Sequence, residues 1–180
     1  MNLPNKLTIF RVILIPFFVF FLLAPYFPGY GNYIALVIFV VASLTDLLDG
    51  KIARKYNLVT NFGKFMDPLA DKLLVCSAII CLMDLKLIPA WVVLIIICRE
   101  FIISGFRLIA SDNNIVIAAG IWGKLKTTTQ MVMVIVLILH IQHPIYHLIE
   151  WILIGLAVTL TIISLVDYLI QNRSVLNEQK

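Results

Sequence analysis

Charged residues are scarce in this chain of 180 residues. They make up 13% of the sequence, whereas 62% of the residues are hydrophobic and the mean hydropathy is +1.02. From Val12 to Thr45 no residue carries a charge. A water-soluble domain of this length needs far more polar surface, so the composition excludes a soluble globular protein and indicates a membrane protein with several spans.

Cysteine is also scarce, and basic residues do not form a stripe. The three cysteines, Cys76, Cys81 and Cys98, contain no Cys-x-x-Cys pair, which excludes that redox or metal motif and predicts small apolar packing residues. The net charge is +4, but the cations lie between apolar segments. We therefore predict contacts with anionic lipid headgroups and no binding of nucleic acid.

Apolar runs separated by turn-forming residues predict an all-α integral membrane protein with about six transmembrane helices. The predicted helices cover residues 8–25, 32–55, 61–83, 88–109, 121–142 and 148–170. Helices of this length leave no room for a separate soluble domain. We therefore expect one membrane domain over residues 1–180, with a short interfacial segment at 1–7 and a polar tail at 171–180.

Most basic residues lie at one end of the predicted helices, and Lys86 is the exception at the other end. Because basic residues concentrate on the cytosolic side, this asymmetry predicts that both termini are cytosolic. A cleaved signal peptide is the competing interpretation of Lys6 and the apolar run after it. We do not expect one, since no small-residue cleavage site follows Leu23.

Four aspartates interrupt the apolar pattern, two on each of two consecutive predicted helices. They are Asp46, Asp49, Asp67 and Asp71. Spacings of three and four residues place each pair on one helix face. A rise of about 1.5 Å per residue puts all four roughly 8 to 15 Å below the cytosolic surface. A short link makes the two helices antiparallel neighbours, so the acids can line one polar cavity that opens to the cytosol.

Carboxylates are costly in a membrane and repel one another, so this arrangement predicts bound cations. Oxygen ligands favour Mg²⁺ or Mn²⁺, which are usually shared with substrate phosphates. The alternative is simple pairing with nearby cations such as Lys51 and Lys72. That alternative does not explain the small residues Gly50, Ala53 and Gly63 on the same faces, which leave space for a bulky group.

Three histidines lie in the predicted link at residues 140–147, around the end of the fifth predicted helix, namely His140, His143 and His147. Their spacing could indicate a metal site. However, Pro144 should break the helix between them, and the predicted topology puts them on the outer face, away from the aspartates. We therefore predict an interfacial role for them.

The aspartate pattern resembles the signature of the CDP-alcohol phosphotransferase family at every specified position. The signature reads Asp46-x-x-Asp49-Gly50-x-x-Ala53-Arg54, eight residues, then Gly63-x-x-x-Asp67-x-x-x-Asp71. The segments from Asn2 to Arg11 and from Arg99 to Arg107 are similar to the bacterial branch that makes phosphatidylglycerol phosphate. The resemblance implies transfer of the phosphatidyl group of CDP-diacylglycerol to sn-glycerol 3-phosphate, with release of CMP. It also implies a homodimer in the bacterial cytoplasmic membrane, with its active site facing the cytosol.

The resemblance also implies roles for single residues. The four aspartates hold two divalent cations, Mg²⁺ or Mn²⁺, and Asp71 is the catalytic base. The CDP group is expected to contact Asp49, Gly50, Ala53, Arg54 and Gly63. An acceptor that carries a phosphate needs further cations, and those near the cytosolic face without an obvious acidic neighbour are Arg11, Arg107, Lys124 and Lys126. Topology and lipid contacts explain each of these four cations almost as well.

Three alternatives stay open at this point. The first is a member of the same family with another acceptor, such as inositol phosphate, serine or phosphatidylglycerol. The second is an intramembrane prenyltransferase, which also uses aspartate-rich metal sites. The third is a small cation-coupled transporter, which should have acids near the bilayer centre and inverted halves, whereas these acids cluster in one third of the chain.

Overall fold

The computed structural model describes residues 2–24, 30–55, 61–112 and 120–172. Within these ranges the side chains of residues 47–55, 61, 62, 64, 65, 68, 109, 111 and 112 lie outside the description. The described chain is all-helical. Its helices are α1 (Leu3–Leu23), α2 (Gly31–Lys55), α3 (Asn61–Asp84), α4 (Ala90–Asp112), α5 (Ile121–Leu139) and α6 (Pro144–Gln171).

The number and order of these helices confirm the all-α prediction, and two helices begin earlier than expected. α1 begins at Leu3 and has a proline in its first turn, and α6 begins at Pro144. Proline suits a first helical turn because its missing N–H would have no partner there. The predicted start of α6 at residue 148 was therefore wrong, and the link between α5 and α6 is limited to residues 140–143.

Three of the described helices are long and apolar enough to cross a bilayer, namely α1, α5 and α6. At about 1.5 Å per residue, the 21 residues of α1 extend about 32 Å, close to the thickness of the hydrocarbon core. The apolar part of α2, Gly31–Asp46, is shorter. These helices identify the chain as a multi-pass membrane protein.

The chain divides into two compact units, Met1–Leu87 and Ile88–Lys180. In unit 1, α1 packs against both α2 and α3. The rings of Phe18 and Phe39 meet at 5.8 Å between centroids where α1 faces α2. Other buried positions include Leu22 on α1, Ala35 and Ala42 on α2, and Ala70, Leu74, Ala78 and Leu82 on α3. Alanines at these positions allow close approach of the helices.

In unit 2, α6 packs against both α4 and α5. Its buried residues recur every three or four positions and therefore form a single stripe. They are Glu150, Ile154, Ala157, Val158, Thr161, Ser164 and Tyr168. This stripe contains one carboxylate, that of Glu150, at its N-terminal end.

Candidate active site

The buried stripe of α2 leads directly to the first aspartate of the motif. Ala35, Phe39 and Ala42 are buried, and Asp46 follows four residues after Ala42. On α3, Asp67 lies four residues after the buried Gly63 and three residues before the buried Ala70. The apolar periodicity that packs α2 and α3 against α1 therefore also turns Asp46 and Asp67 toward α1.

Two fully buried residues of α1 hold these acids. Nη1 of Arg11 donates a hydrogen bond to Oδ1 of Asp46 over 2.6 Å. The Thr8 hydroxyl lies 2.5 Å from Oδ1 of Asp67, to which it donates, and 3.1 Å from the carbonyl oxygen of Pro4. Because Thr8 and Arg11 are three residues apart, they share one face of α1. This face connects one acid of α2 with one acid of α3.

The two carboxylates are held by residues three positions apart on α1, and the Arg11 guanidinium forms an ion pair with Asp46. The Asp46 side chain is 29% exposed, so the pair is reachable from outside the protein core. In the described part of the chain, Oδ2 of Asp46 and Oδ2 of Asp67 accept no hydrogen bond. The hydrogen bonds from α1 thus leave Oδ2 of each acid without a described partner.

The remaining motif residues lie on the same two helices. Asp71 lies one turn beyond Asp67 on α3 and is partly exposed. On α2, the backbone of residues 47–55 is helical, and the side chains of this segment lie outside the described residues. That segment contains four predicted site residues, namely Asp49, Gly50, Ala53 and Arg54.

The chain matches the family model described as CDP-alcohol phosphatidyltransferase over residues 1–163. It is 43% identical over 187 residues to the CDP-diacylglycerol--glycerol-3-phosphate 3-phosphatidyltransferase of Bacillus subtilis, covering 95% of each chain. Proteins of the same name from Rickettsia bellii and Haemophilus influenzae are each 41% identical. The match to the Rickettsia bellii protein covers 93% of both chains. The match to the Haemophilus influenzae protein covers 93% of this chain and 91% of the relative.

The chain belongs to the CDP-alcohol phosphatidyltransferase family. The chain is therefore a phosphatidyltransferase, and the family membership predicted from the aspartate pattern is confirmed. The transporter and prenyltransferase interpretations have no support from these relatives.

The four predicted cations for the acceptor phosphate have different environments. Arg11 and Lys126 are buried, and each forms an ion pair, with Asp46 and Glu100 respectively. The sequence showed no acidic neighbour for either residue, because these partners are distant in the chain. Lys124 is exposed. Arg107 is also exposed, and its guanidinium carbon lies 5.9 Å from the centroid of the Tyr168 ring.

A second group of charges lies within unit 2, centred on Glu100. Oε1 of Glu100 accepts hydrogen bonds from Lys126 Nζ and, over 3.3 Å, from Arg99 Nη1. Arg99 Nε donates to the hydroxyl of Ser164 on α6 over 3.1 Å. The adjacent pair Arg99 and Glu100 therefore belongs to a buried network that joins α4, α5 and α6.

Sequence reasoning missed Thr8 and Ser164 as partners of charged groups. The signal for Thr8 was its position three residues before Arg11, which places both on one helix face. Ser164 gave no comparable signal, because it lies 65 residues from Arg99. Hydrogen bonds between such distant residues depend on which helices pack together, and the sequence pattern does not specify this.

The donor set of unit 1 fits a hard divalent cation. Asp46 and Asp67 offer carboxylate oxygens from two helices, and such oxygens are preferred by Mg²⁺ and Mn²⁺. Arg11 and Thr8 orient the two acids through hydrogen bonds to Oδ1 of Asp46 and Oδ1 of Asp67. Outer-shell partners of metal ligands commonly act in this way.

Proposed function

We propose that this protein transfers the phosphatidyl group of CDP-diacylglycerol to sn-glycerol 3-phosphate, releasing CMP and forming phosphatidylglycerol phosphate. The observation that carries the proposal is the meeting of Asp46 and Asp67 at Arg11 and Thr8, within a chain that has the complete aspartate signature. Relatives that align over nearly the whole chain bear the name of this reaction.

Asp46, Asp49, Asp67 and Asp71 are the residues that would hold two divalent cations. Such cations would neutralise charge on the pyrophosphate and on the leaving CMP. Arg11 and Thr8 keep Asp46 and Asp67 in place by hydrogen bonds from a rigid helix. This support matters because ligand orientation strongly affects the affinity of a metal site.

The CDP group is proposed to bind along Asp49, Gly50, Ala53, Arg54 and Gly63. Gly63 is buried one turn before Asp67 on α3. Arg54 would supply a planar fork for a phosphate. These contacts would place the phosphorus of the lipid near the carboxylates.

Asp71 is proposed as the general base. A carboxylate oxygen of Asp71 would accept the proton of the glycerol 3-phosphate hydroxyl as this oxygen bonds to phosphorus and the bond to CMP breaks. Its place on the same face of α3 as Asp67, one turn further along, supports this role.

The acceptor phosphate is proposed to bind through cations from the set Arg11, Arg107, Lys124 and Lys126. The exposed Arg107 and Lys124 can contact a soluble phosphate directly. The buried Arg11 and Lys126 already neutralise carboxylates, so their contribution would include fixing those acids. We further propose that the site faces the cytosol and that the enzyme is a homodimer.

The test is an assay of the purified protein with Mg²⁺, CDP-diacylglycerol and glycerol 3-phosphate, followed by analysis of the lipid product and of CMP. We expect phosphatidylglycerol phosphate, and loss of activity with a chelator that excess Mg²⁺ or Mn²⁺ reverses. Asp71→Asn should lower the turnover number by at least about a hundredfold, which is the usual contribution of a general base.

Parallel assays with inositol phosphate, serine or phosphatidylglycerol identify the acceptor. Preference for one of these over glycerol 3-phosphate would overturn the proposed acceptor while retaining the family reaction. Undiminished transfer by Asp71→Asn would refute the base. As a matched control we suggest Asp84→Asn, an exposed acid at the end of the same helix, which should retain full activity.

A further inference from the structure

Two imidazoles and one carboxylate meet in unit 2, where α5 ends and α6 begins. Nδ1 of His140 lies 3.3 Å from Oε1 of Glu150, and Nδ1 of His147 lies 3.0 Å from Oε2. One ligand atom from each residue can be chosen so that all three lie within 4.8 Å of one another. We call these three residues the His–Glu cluster.

The carboxylate of this cluster is buried. The Glu150 side chain is 7% exposed and begins the buried stripe of α6, which continues with the apolar Ile154 and Ala157. A buried carboxylate is stable only with hydrogen bonds and compensating positive charge. Neutral imidazoles supply the hydrogen bonds without the charge, whereas a divalent cation bound by all three groups supplies the charge.

The distances suit a transition metal. Zinc binds imidazole nitrogen and carboxylate oxygen at about 2.0 to 2.1 Å, so the ligands of a tetrahedral site are about 3.3 Å apart. The two distances from imidazole nitrogen to carboxylate oxygen, 3.3 and 3.0 Å, are close to this spacing. The centroids of the two rings are 5.5 Å apart, and one ligand atom of each of the three residues lies within 4.8 Å of the other two.

The backbone fixes the cluster from both sides. His140 has a φ of 37° and a ψ of 60°, a left-handed conformation that ends α5 and that histidine adopts more readily than most residues. His143 caps α6 by accepting a hydrogen bond from the backbone N–H of Ile145 through Nδ1. The Tyr146 hydroxyl donates to the carbonyl oxygen of Val136, which joins the first turn of α6 to α5.

Pro144 therefore has the opposite effect from the one the sequence suggested. It does not separate the histidines, because it begins α6 and the chain reverses direction over residues 140–143. This reversal brings His147, in the second turn of α6, back to His140 at the end of α5. The prediction of an interfacial role rested on this proline and on the predicted position of the histidines on the outer face.

We propose that the His–Glu cluster binds a divalent transition-metal ion, with Zn²⁺ as the preferred occupant. His140, His147 and Glu150 would be three protein ligands, and water or an external group would complete a tetrahedral site. Two imidazoles favour zinc, copper or nickel, whereas the aspartates of unit 1 favour hard cations. The proposal does not depend on the proposed enzymatic function.

The test uses the purified full-length protein after removal of any histidine tag and of bound metal. Excess Mg²⁺ is kept present so that sites made only of carboxylates are filled with a hard cation. Titration with Co²⁺ should give the visible absorption of tetrahedral coordination at one equivalent, and Zn²⁺ should displace it. Zn²⁺ should also raise the thermal unfolding temperature.

His147→Ala is the decisive variant, because the His147 side chain is 49% exposed and its loss should not prevent folding. We expect His147→Ala and Glu150→Gln to weaken Zn²⁺ binding by more than about tenfold, since even loss of an outer-shell partner costs about that much. The matched control is His143→Asn, which removes an exposed imidazole of the same link while retaining a side chain that can cap α6. It should bind Zn²⁺ like the parent protein.

Three results would overturn the proposal. One is the absence of a tetrahedral Co²⁺ spectrum in the parent protein. Another is equal Zn²⁺ affinity in the parent protein and in His147→Ala. The third is weakening in His143→Asn as large as in His147→Ala, which would indicate binding to exposed imidazoles of the link in general.

Discussion

At the residue scale, Arg11 and Thr8 combine packing and chemistry. Both are fully buried on α1, and each donates to a carboxylate of a different helix. A charged side chain with no exposure is tolerated only when its charge is paired. Asp46 therefore supports the structure of unit 1 as well as its proposed chemistry, and the two roles can be separated by substitution.

Replacing Thr8 by Val should impair the metal site while leaving the packing nearly unchanged, since the two side chains have similar shapes. Without its hydrogen bond, Asp67 is less firmly oriented. We expect the Mg²⁺ concentration for half-maximal activity to rise about tenfold, as is typical for outer-shell partners. Thr8→Ser retains the hydroxyl and is the control. Equal Mg²⁺ dependence of the Val and Ser variants would contradict the role of this hydrogen bond.

Replacing Arg11 by Ala should destabilise the protein, because it leaves the carboxylate of Asp46 without its cation. Loss of one partner from a buried pair costs about 3 to 5 kcal/mol, and the partial exposure of Asp46 reduces this to about 2 to 3 kcal/mol. Thermal unfolding in detergent measures the effect. Lys6→Ala, which alters an exposed cation of the same helix, should leave the unfolding temperature unchanged. Equal effects of both substitutions would show that the pair does not stabilise unit 1.

At the element scale, α1 and α6 have corresponding roles, since each packs against the two other helices of its unit. The sequence predicted the apolar segments from hydrophobic runs and turn formers. It misplaced the beginnings of α1 and α6. In α6 the reason is that Pro144 was taken as a helix breaker, whereas it occupies the first turn. The spacing of Asp46 and Asp67 from the buried alanines could be read from the sequence, whereas their contacts with α1 could not.

The small buried residues of α2 should be essential for its close packing against the neighbouring helices. Ala42 is fully buried one turn before Asp46. We expect Ala42→Leu to reduce stability by about 1 to 3 kcal/mol through overpacking, and to lower activity because α2 is displaced next to the acid. The unfolding temperature and the turnover number measure the two effects. Val41→Leu, at an exposed neighbouring position, is the control and should change neither.

At the scale of the whole molecule, the chain contains two compact units with different polar chemistry. Unit 1 contains the complete aspartate signature, with Thr8 and Arg11. Unit 2 contains the Glu100 network and the His–Glu cluster. Family membership connects the first set with phosphatidyl transfer. Unit 2 also contains three of the four cations proposed for the acceptor, Arg107, Lys124 and Lys126.

The predicted topology can be tested with single cysteines in a variant that lacks the three native ones. Lys6 and Asp84 are exposed positions near opposite ends of the predicted spans. With cytosolic termini, a membrane-impermeant maleimide should label Asp84→Cys in intact cells and Lys6→Cys only after permeabilisation. Labelling of Lys6→Cys in intact cells would refute the predicted orientation.

The sequence by itself determined the membrane class, the helices and the motif, because hydrophobic runs and residue spacing are local properties of the chain. It also determined the family, since the signature lies within two adjoining helices. Only the tertiary structure decided which side chains meet: Arg11 with Asp46 across 35 residues, Thr8 with Asp67 across 59, and Lys126 with Glu100 across 26. Such pairs depend on which helix faces pack together, and that is decided by the free energy of the folded chain as a whole.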